Sequence, residues 1–149
     1  MQQKLRNFYK ILFFLYLTIL IWILFNRSRY VYGTPYLEQV RRYLNLQPFK
    51  TISLYWRLLK DPVRPMLTRL AVYNLLGNLL LFLPMGVMVP TLWEKFRCLP
   101  RTLLLVALLV TAAELLQVLI LAGSCDIDDL ILNLIGAAAG YPCHKILIK

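Results

Sequence analysis

The chain has 149 residues and a net charge of +10, and 60% of its residues are hydrophobic. The apolar residues form long uninterrupted blocks, which argues against a soluble protein and predicts a single membrane domain over residues 1–149. The positive charge fits anionic lipid headgroups better than nucleic acid, because no compact basic motif with interleaved aromatic residues occurs.

Cysteine and histidine are too sparse for a metal or disulfide framework. The chain has three cysteines, Cys98, Cys125 and Cys143, and the single histidine His144. An odd cysteine count without CxxC spacing argues against paired disulfides and a zinc site. We therefore expect no metal and no cofactor, and a structural role for Cys143 and His144.

The first predicted element is a membrane span near the N-terminus. Basic residues precede an apolar run over residues 11–25 that only Thr18 interrupts. This pattern resembles a signal peptide, but no small-x-small cleavage site follows it. We predict an uncleaved span at about residues 8–26.

A polar and aromatic connection follows over residues 27–65. Thr34 as N-cap and Pro35 in the first turn predict a helix start, and Pro48 ends the apolar periodicity that follows. A second set of apolar residues at helical spacing lies within 52–59. We predict two short amphipathic helices on the membrane surface. An ordinary soluble loop with two helical turns is the alternative.

Three further apolar runs predict spans at about residues 70–92, 102–122 and 128–148. Pro84 should kink or split the second span, because it lacks a backbone N–H. The predicted fold class is an all-α integral membrane protein. It has about four transmembrane helices, with short amphipathic helices in the first extracytoplasmic loop.

The two short loops predict the orientation, because short loops carry the topological charge signal. The loop at 94–101 contains three basic residues, whereas the turn at 123–127 contains none. We therefore expect both termini in the cytoplasm and residues 27–69 outside, in the plasma membrane.

Polar side chains cluster in the outer halves of the last three spans. A helix rises about 1.5 Å per residue, which places them at matching depths. Carboxyl groups inside a membrane usually face a partner or a wet cavity. We predict an outward-facing pocket with the acids at its mouth. Interhelical hydrogen bonding is the alternative. The candidate ligand-binding residues are Asn74, Asn78, Glu114, Gln117, Asp126, Asp129 and Asn133.

The last span carries two further signals. On a helical wheel Asp128 points away from Asp126 and Asp129, so we expect it to cap a helix or face solvent. Gly136 and Gly140 form a GxxxG match that predicts internal packing, with a homodimer face as the alternative. Counter-charges for the acids could come from the long connection, with these candidates: Arg57, Arg64 and Arg69.

The ordered motifs cover residues 45–141. They are Asn45-Leu46-Gln47-Pro48-Phe49, Asn74-x-x-Gly77-Asn78-x-x-x-Phe82-x-Pro84-x-Gly86, Glu114-x-x-Gln117, and Asp126-Ile127-Asp128-Asp129-x-x-x-Asn133-x-x-Gly136-x-x-x-Gly140. This set resembles the VanZ-like family. One departure is Gly123, where many relatives have arginine. An arginine–acid pair at the mouth is therefore absent, or the long connection supplies it.

The resemblance implies a small bacterial envelope protein. The named member of that family is associated with low-level resistance to teicoplanin-type glycopeptide antibiotics. Our first hypothesis is a non-enzymatic protein. It would bind a membrane lipid, a lipid-linked cell-wall intermediate or a glycopeptide at the outer leaflet, and so lower antibiotic access.

The second hypothesis is an intramembrane enzyme that modifies an envelope lipid. Glu114 would be the general base, and Asp126 and Asp129 would hold a divalent cation on a phosphate. The sequence shows no Ser-His-Asp set, which favours the first hypothesis. A proton-coupled transporter would need more spans or a homo-oligomer.

Overall fold

The computed structural model describes residues 3–26, 29–60 and 63–148. Helices dominate these residues, accompanied by two short strands and two 3-10 turns. The helices are α1 (Gln3–Phe25), α2 (Tyr36–Arg42), α3 (Lys50–Leu59), α4 (Pro65–Leu81), α5 (Leu83–Leu92), α6 (Leu99–Leu119), α7 (Ile127–Gly140) and α8 (His144–Ile148). The strands are β1 (Leu44–Asn45) and β2 (Cys125–Asp126), and the 3-10 turns are Glu94–Phe96 and Tyr141–Cys143.

Four segments are long and apolar enough to cross a membrane, which confirms the predicted all-α membrane fold. They are Gln3–Phe25, Pro65–Leu92, Leu99–Leu119 and Ile127–Leu147. The third span ends at Leu119 rather than near residue 122, because Leu121 has a left-handed backbone with φ of 53°. The first begins at Gln3 rather than near residue 8, because helical hydrogen bonding continues beyond the apolar run.

The second span is divided at Phe82, as the proline at position 84 predicts. α4 ends at Leu81 and α5 begins at Leu83, with Pro84 in its first turn. The Met85 N–H donates to Phe82 O over 3.1 Å, which tightens the chain at the break. The kink keeps both halves of the span packed against α7.

α7 is the central helix, and it contacts α4, α5 and α6. Its glycines allow backbones to approach closely, as small residues do in membrane helix packing. A Cβ at Gly136 would overlap Leu79 O, and a Cβ at Gly140 would overlap Leu83 O. The predicted internal packing role of this glycine face is confirmed.

α1 lies at the periphery of the bundle. Phe13 and Leu20 are its buried side chains, and they pack into the core formed with α5 and α6. Two side-chain bonds fix its position: the Tyr16 hydroxyl donates to Leu81 O over 2.8 Å, and Gln117 Nε2 donates to Leu24 O over 2.7 Å. The C-terminal end of α1 is thereby held next to α6.

Residues 29–60, which we call the connecting segment, contain α2, β1 and α3. Both predicted short helices are present, and their location at the membrane surface stays a prediction. The predicted Thr34 cap is wrong, because α2 begins at Tyr36 without a side-chain cap. Instead the buried Gln39 amide donates to Thr34 O over 2.8 Å and accepts from Val31 N–H over 2.8 Å.

A two-stranded parallel pairing joins the connecting segment to the start of α7. Leu44 pairs with Cys125, and Asn45 pairs with Asp126. Beside this pair, the Cys125 N–H donates to Tyr43 O over 2.9 Å. The Asn45–Phe49 motif upstream of the second span is therefore folded directly against the Asp126–Asp129 segment, which we call the acidic motif.

Asp128 is 0% exposed, so the solvent-facing alternative for it is wrong. Its carboxylate accepts the backbone N–H groups of Phe49 (2.5 Å), Thr51 (2.7 Å) and Ile52 (3.0 Å). These N–H groups lie at the start of α3, where a helix has no internal acceptors for them. Asp128 therefore caps α3, while Asp126 caps α7 by accepting the Asp128 N–H over 3.0 Å.

Replacing Asp128 by alanine should release the connecting segment, because three backbone N–H groups would lose their acceptor. Hydrogen bonds to charged groups contribute about 1.5–3 kcal/mol each. We therefore expect trypsin to cut within residues 29–60 at least about tenfold faster. The measurement is the cleavage rate of the purified full-length protein in detergent.

The matched control is Glu38→Gln, which removes another acid of the same region. Glu38 forms an exposed ion pair with Arg42 at 3.0 Å, and such pairs contribute about 0–1 kcal/mol. This variant should be cleaved at the rate of the unmutated protein. Equal rates for Asp128→Ala and the unmutated protein would contradict the capping role.

A second prediction compares two glycines in the spans. Gly136→Ala forces a methyl group against Leu79 O and should lower the unfolding temperature by about 5 °C. Gly77→Ala should leave it unchanged or raise it, because a Cβ there has no atom within 4 Å and alanine favours a helix by about 1 kcal/mol. Thermal unfolding in detergent measures both, and equal effects would refute the packing assignment.

Candidate functional site

A cavity of about 300 Å³ lies among α1, α4, α6 and α7, at the end of the bundle that carries the connecting segment. Its apolar wall comes mainly from α1, α4 and α6, and its polar groups converge from α4, α6, α7 and two loops. The polar lining residues are Arg29, Tyr73, Asn74, Asn78, Glu114, Gln117, Ser124, Asp129 and Asn133.

Six of the seven candidate residues line this cavity, and Asp126 does not. The Asp126 carboxylate is used inside the protein, where Oδ2 accepts from Thr51 Oγ1 (2.5 Å) and Asn45 Nδ2 (3.1 Å). Its Oδ1 accepts the Asp128 N–H. Asp126 therefore fixes the connecting segment beside the cavity, and both of its carboxylate oxygens already accept hydrogen bonds within the protein.

Asp129 and Asn78 connect α7 to α4 across the cavity. Asn78 Nδ2 donates to Asp129 Oδ1 over 2.5 Å. The bond orients the carboxyl group, and the neighbouring residues Asn74 and Gly77 extend the same wall of α4. Asp129 is therefore the acid of the acidic motif that reaches the cavity.

Glu114 brings a second carboxyl group from α6, and it is 7% exposed. Its Oε2 accepts the Asp126 N–H over 3.3 Å, whereas Oε1 is buried without a hydrogen-bond partner. The Cys125 thiol lies beside this carboxyl group, but a thiol is only a weak donor. Oε1 is therefore an acceptor that the protein leaves unpaired.

Asn133, which is 5% exposed, presents a second unpaired acceptor. Its Oδ1 is buried and has no hydrogen-bond partner among the described residues. Native proteins pair the great majority of buried polar groups. A third such atom, Asn45 Oδ1, lies outside the cavity. Two residues that line one cavity therefore carry unpaired acceptors, and both atoms are closed to solvent, so a bound molecule would reach them only after a side-chain rotation.

Gln117 has a positioning role at the cavity wall. Its amide nitrogen donates a hydrogen bond to Leu24 O of α1, and its side chain fills the space next to Gly123. A Cβ at Gly123 would lie 3.0 Å from Gln117 Cδ. The absence of a side chain at position 123 therefore lets Gln117 hold α1 in place.

Within the described residues, Arg29 is the one basic side chain that lines the cavity. Its N–H donates to Leu121 O over 2.7 Å, and its carbonyl accepts from the Tyr43 hydroxyl over 2.8 Å. Its guanidinium lies 5.8 Å from the centroid of the Tyr43 ring. The connecting segment thus supplies a base at the cavity, next to Gly123, where the family resemblance led us to look for one.

Arg29 was missed by the sequence analysis, which considered later residues of the same connection. The three that it named are absent from the cavity lining: Arg57, Arg64 and Arg69. The usable signal was that Arg29 directly follows the first span, at the level of the 120–124 turn. Within the described residues, no set of three or more His, Cys, Asp and Glu side chains converges to hold a metal ion.

Comparison with known proteins identifies the family of the chain. The profile of the VanZ/LLP1 family matches residues 13–148, a range that contains more than half of α1, all of α4, α6 and α7, the connecting segment and the acidic motif. Neither a curated protein nor a solved structure matches the chain significantly. The chain belongs to the VanZ/LLP1 family.

Proposed function

We propose that this envelope membrane protein binds the headgroup of a membrane lipid or lipid-linked cell-wall intermediate in the cavity. We further propose that this binding lowers the access of teicoplanin-type glycopeptides to their cell-wall target. The observation that carries the proposal is the pair of unpaired acceptors, Glu114 Oε1 and Asn133 Oδ1, on two residues that line one cavity.

The size of the cavity favours a headgroup over a whole antibiotic. Its volume of about 300 Å³ is at the lower end for sites that hold small molecules. A glycopeptide is several times larger than such a space, so direct capture of the antibiotic is disfavoured. An effect on resistance would then come from what the protein does to the lipid.

A reaction on the bound lipid is the second candidate function. Two carboxyl groups, Glu114 and Asp129, line the same cavity, and a buried carboxyl group can act as a general acid or base. Asp126 has no part in this version, because its oxygens are bonded to the connecting segment. A binding role needs fewer groups than the reaction does, so we place it first.

Cavity variants should abolish any protection against teicoplanin. We expect expression of the unmutated protein in a susceptible host to raise the minimum inhibitory concentration by about fourfold or more, and Glu114→Ala and Asp129→Ala to return it to the vector level. Each variant removes a hydrogen-bond acceptor of the cavity or disturbs its orientation. Such a loss typically lowers the affinity of a site tenfold or more, on the order of 1–3 kcal/mol.

The matched control is Glu94→Gln, at an exposed acid in the 3-10 turn at the other end of the bundle. It should protect like the unmutated protein. If Glu114→Ala and Asp129→Ala both protect fully while present at normal levels, the site assignment fails. A lipid missing or accumulated only when Glu114 is present would favour the reaction over simple binding.

The orientation belongs to the same proposal. We infer that the protein resides in the plasma membrane with both termini in the cytoplasm, so that the connecting segment and the cavity face outward. The short loop between α5 and α6 supports this, because it contains the basic residues Lys95 and Arg97 and leads into Arg101.

Cys98 in this loop tests the orientation, because it is exposed. In a Cys143→Ser variant, a membrane-impermeant maleimide should label Cys98 only after protoplasts are permeabilised. Cys125 should react slowly, because its burial, and then the adjacent Glu114 carboxylate, raise the pKa of the thiol to about 11.

Adding Leu46→Cys provides the positive control, because Leu46 is exposed in the connecting segment. That cysteine should be labelled in intact protoplasts. Labelling of Cys98 without permeabilisation would contradict the proposed topology, and with it the location of the cavity in the outer leaflet.

A further inference from the structure

We propose that the cavity selects a phospholipid with a primary ammonium headgroup, and that the lipid enters sideways from the bilayer between α1 and α4. The inference rests on the proposed function in one respect, that a lipid headgroup occupies the cavity. It adds the chemistry of that headgroup and the route by which it arrives.

The unpaired atoms of the cavity are hydrogen-bond acceptors. Glu114 Oε1 and Asn133 Oδ1 have no partner. Asp129 uses Oδ1 for Asn78, and no donor from the described residues is bonded to its Oδ2. A primary ammonium group has three N–H donors and no acceptor. It therefore complements Asp129 Oδ2 together with Glu114 Oε1 and Asn133 Oδ1 once these two side chains turn towards the cavity. A hydroxyl offers one donor and a trimethylammonium group offers none.

The charges of the cavity point to the same headgroup. Two acids and one base line it, Glu114 and Asp129 against Arg29, so a bound cation would balance the second acid. Uncompensated carboxylates inside a membrane are costly. An ammonium group between the two acids removes that cost without a metal ion.

Arg29 fits the phosphate of the same lipid. Arg29 lines the cavity but is also exposed to solvent, because it lies in the loop at the end of the bundle. A guanidinium group binds phosphate oxygens through two parallel hydrogen bonds. With the ammonium deep and the phosphodiester at Arg29, the arrangement matches an aminoethyl phosphate headgroup, as in phosphatidylethanolamine.

The cavity opens through the side of the bundle. Tyr73 and Gly77 of α4 line it, yet Tyr73 is 74% exposed and a Cβ at Gly77 would meet no atom within 4 Å. Both residues belong to a membrane span, so this opening faces acyl chains. The opposite edge is formed by Ile23 and Leu24 of α1. A lipid can thus place its headgroup inside while its tails stay in the bilayer.

The test is native mass spectrometry of the purified full-length protein with lipids of identical acyl chains. The probes are phosphatidylethanolamine, phosphatidylcholine and phosphatidylglycerol. We expect phosphatidylethanolamine to bind at least about tenfold more tightly than the other two, because a site built for N–H donors rejects analogues that lack them.

Three variants separate the parts of the inference. Glu114→Gln keeps the size of the side chain but turns an amide donor towards the ammonium, so the preference should fall to near unity. Arg29→Gln should weaken phosphatidylethanolamine and phosphatidylcholine equally and keep the preference, because both share the phosphate. Gly77→Leu fills the side opening, and it should remove binding of all three lipids while the unfolding temperature is retained.

Equal binding of phosphatidylethanolamine and phosphatidylcholine by the unmutated protein would overturn the headgroup assignment, as would an undiminished preference in Glu114→Gln. Unchanged binding by Gly77→Leu would overturn the lateral route. If selectivity is absent but Glu114→Ala still abolishes teicoplanin protection, only this inference fails. If selectivity is present but that variant protects fully, only the proposed function fails.

Discussion

The Asp128 carboxylate, which accepts three backbone N–H groups at the start of α3, is the interaction on which the rest of the site depends. It fixes the connecting segment to the first turn of α7, and the β1–β2 pairing next to it sets the register. Tyr43, directly before β1, then holds the carbonyl of Arg29. Asp128, a buried acid outside the cavity lining, thus determines the position of Arg29, the basic residue of the cavity.

Local sequence patterns predicted much of this architecture. Apolar length predicted four spans, Pro84 predicted the break in the second, and the spacing of Gly136 and Gly140 predicted a packing face. These features depend on residues within one or two helical turns. Depth along the helices also brought together six of the seven candidate residues, because rise per residue is nearly constant within a span.

The roles of the acids could not be read in the same way. The helical wheel assumed a helix through Asp126, but this residue is extended, with φ of −129° and ψ of 117°, and α7 begins one residue later. Asp126 therefore leaves the face that it would share with Asp129. The partners of Asp128 lie more than 70 positions away, and a two-residue strand pairing has no periodicity to detect. Arg29 was missed because its place at the cavity depends on distant contacts with Tyr43 and Leu121, although its position directly after the first span was a usable signal.

The order in which the chain is synthesised gives the capping of α3 a consequence for biogenesis. Thr51 is made 77 positions before Asp128, and the two are joined by a hydrogen bond in the finished protein. Until the last span is inserted, water or lipid headgroups must satisfy the N–H groups of α3, and β1 has no partner strand. The face of the protein that carries the connecting segment is therefore completed only when α7 is made, and a ribosome that stops before residue 126 leaves a membrane-anchored chain without a cavity.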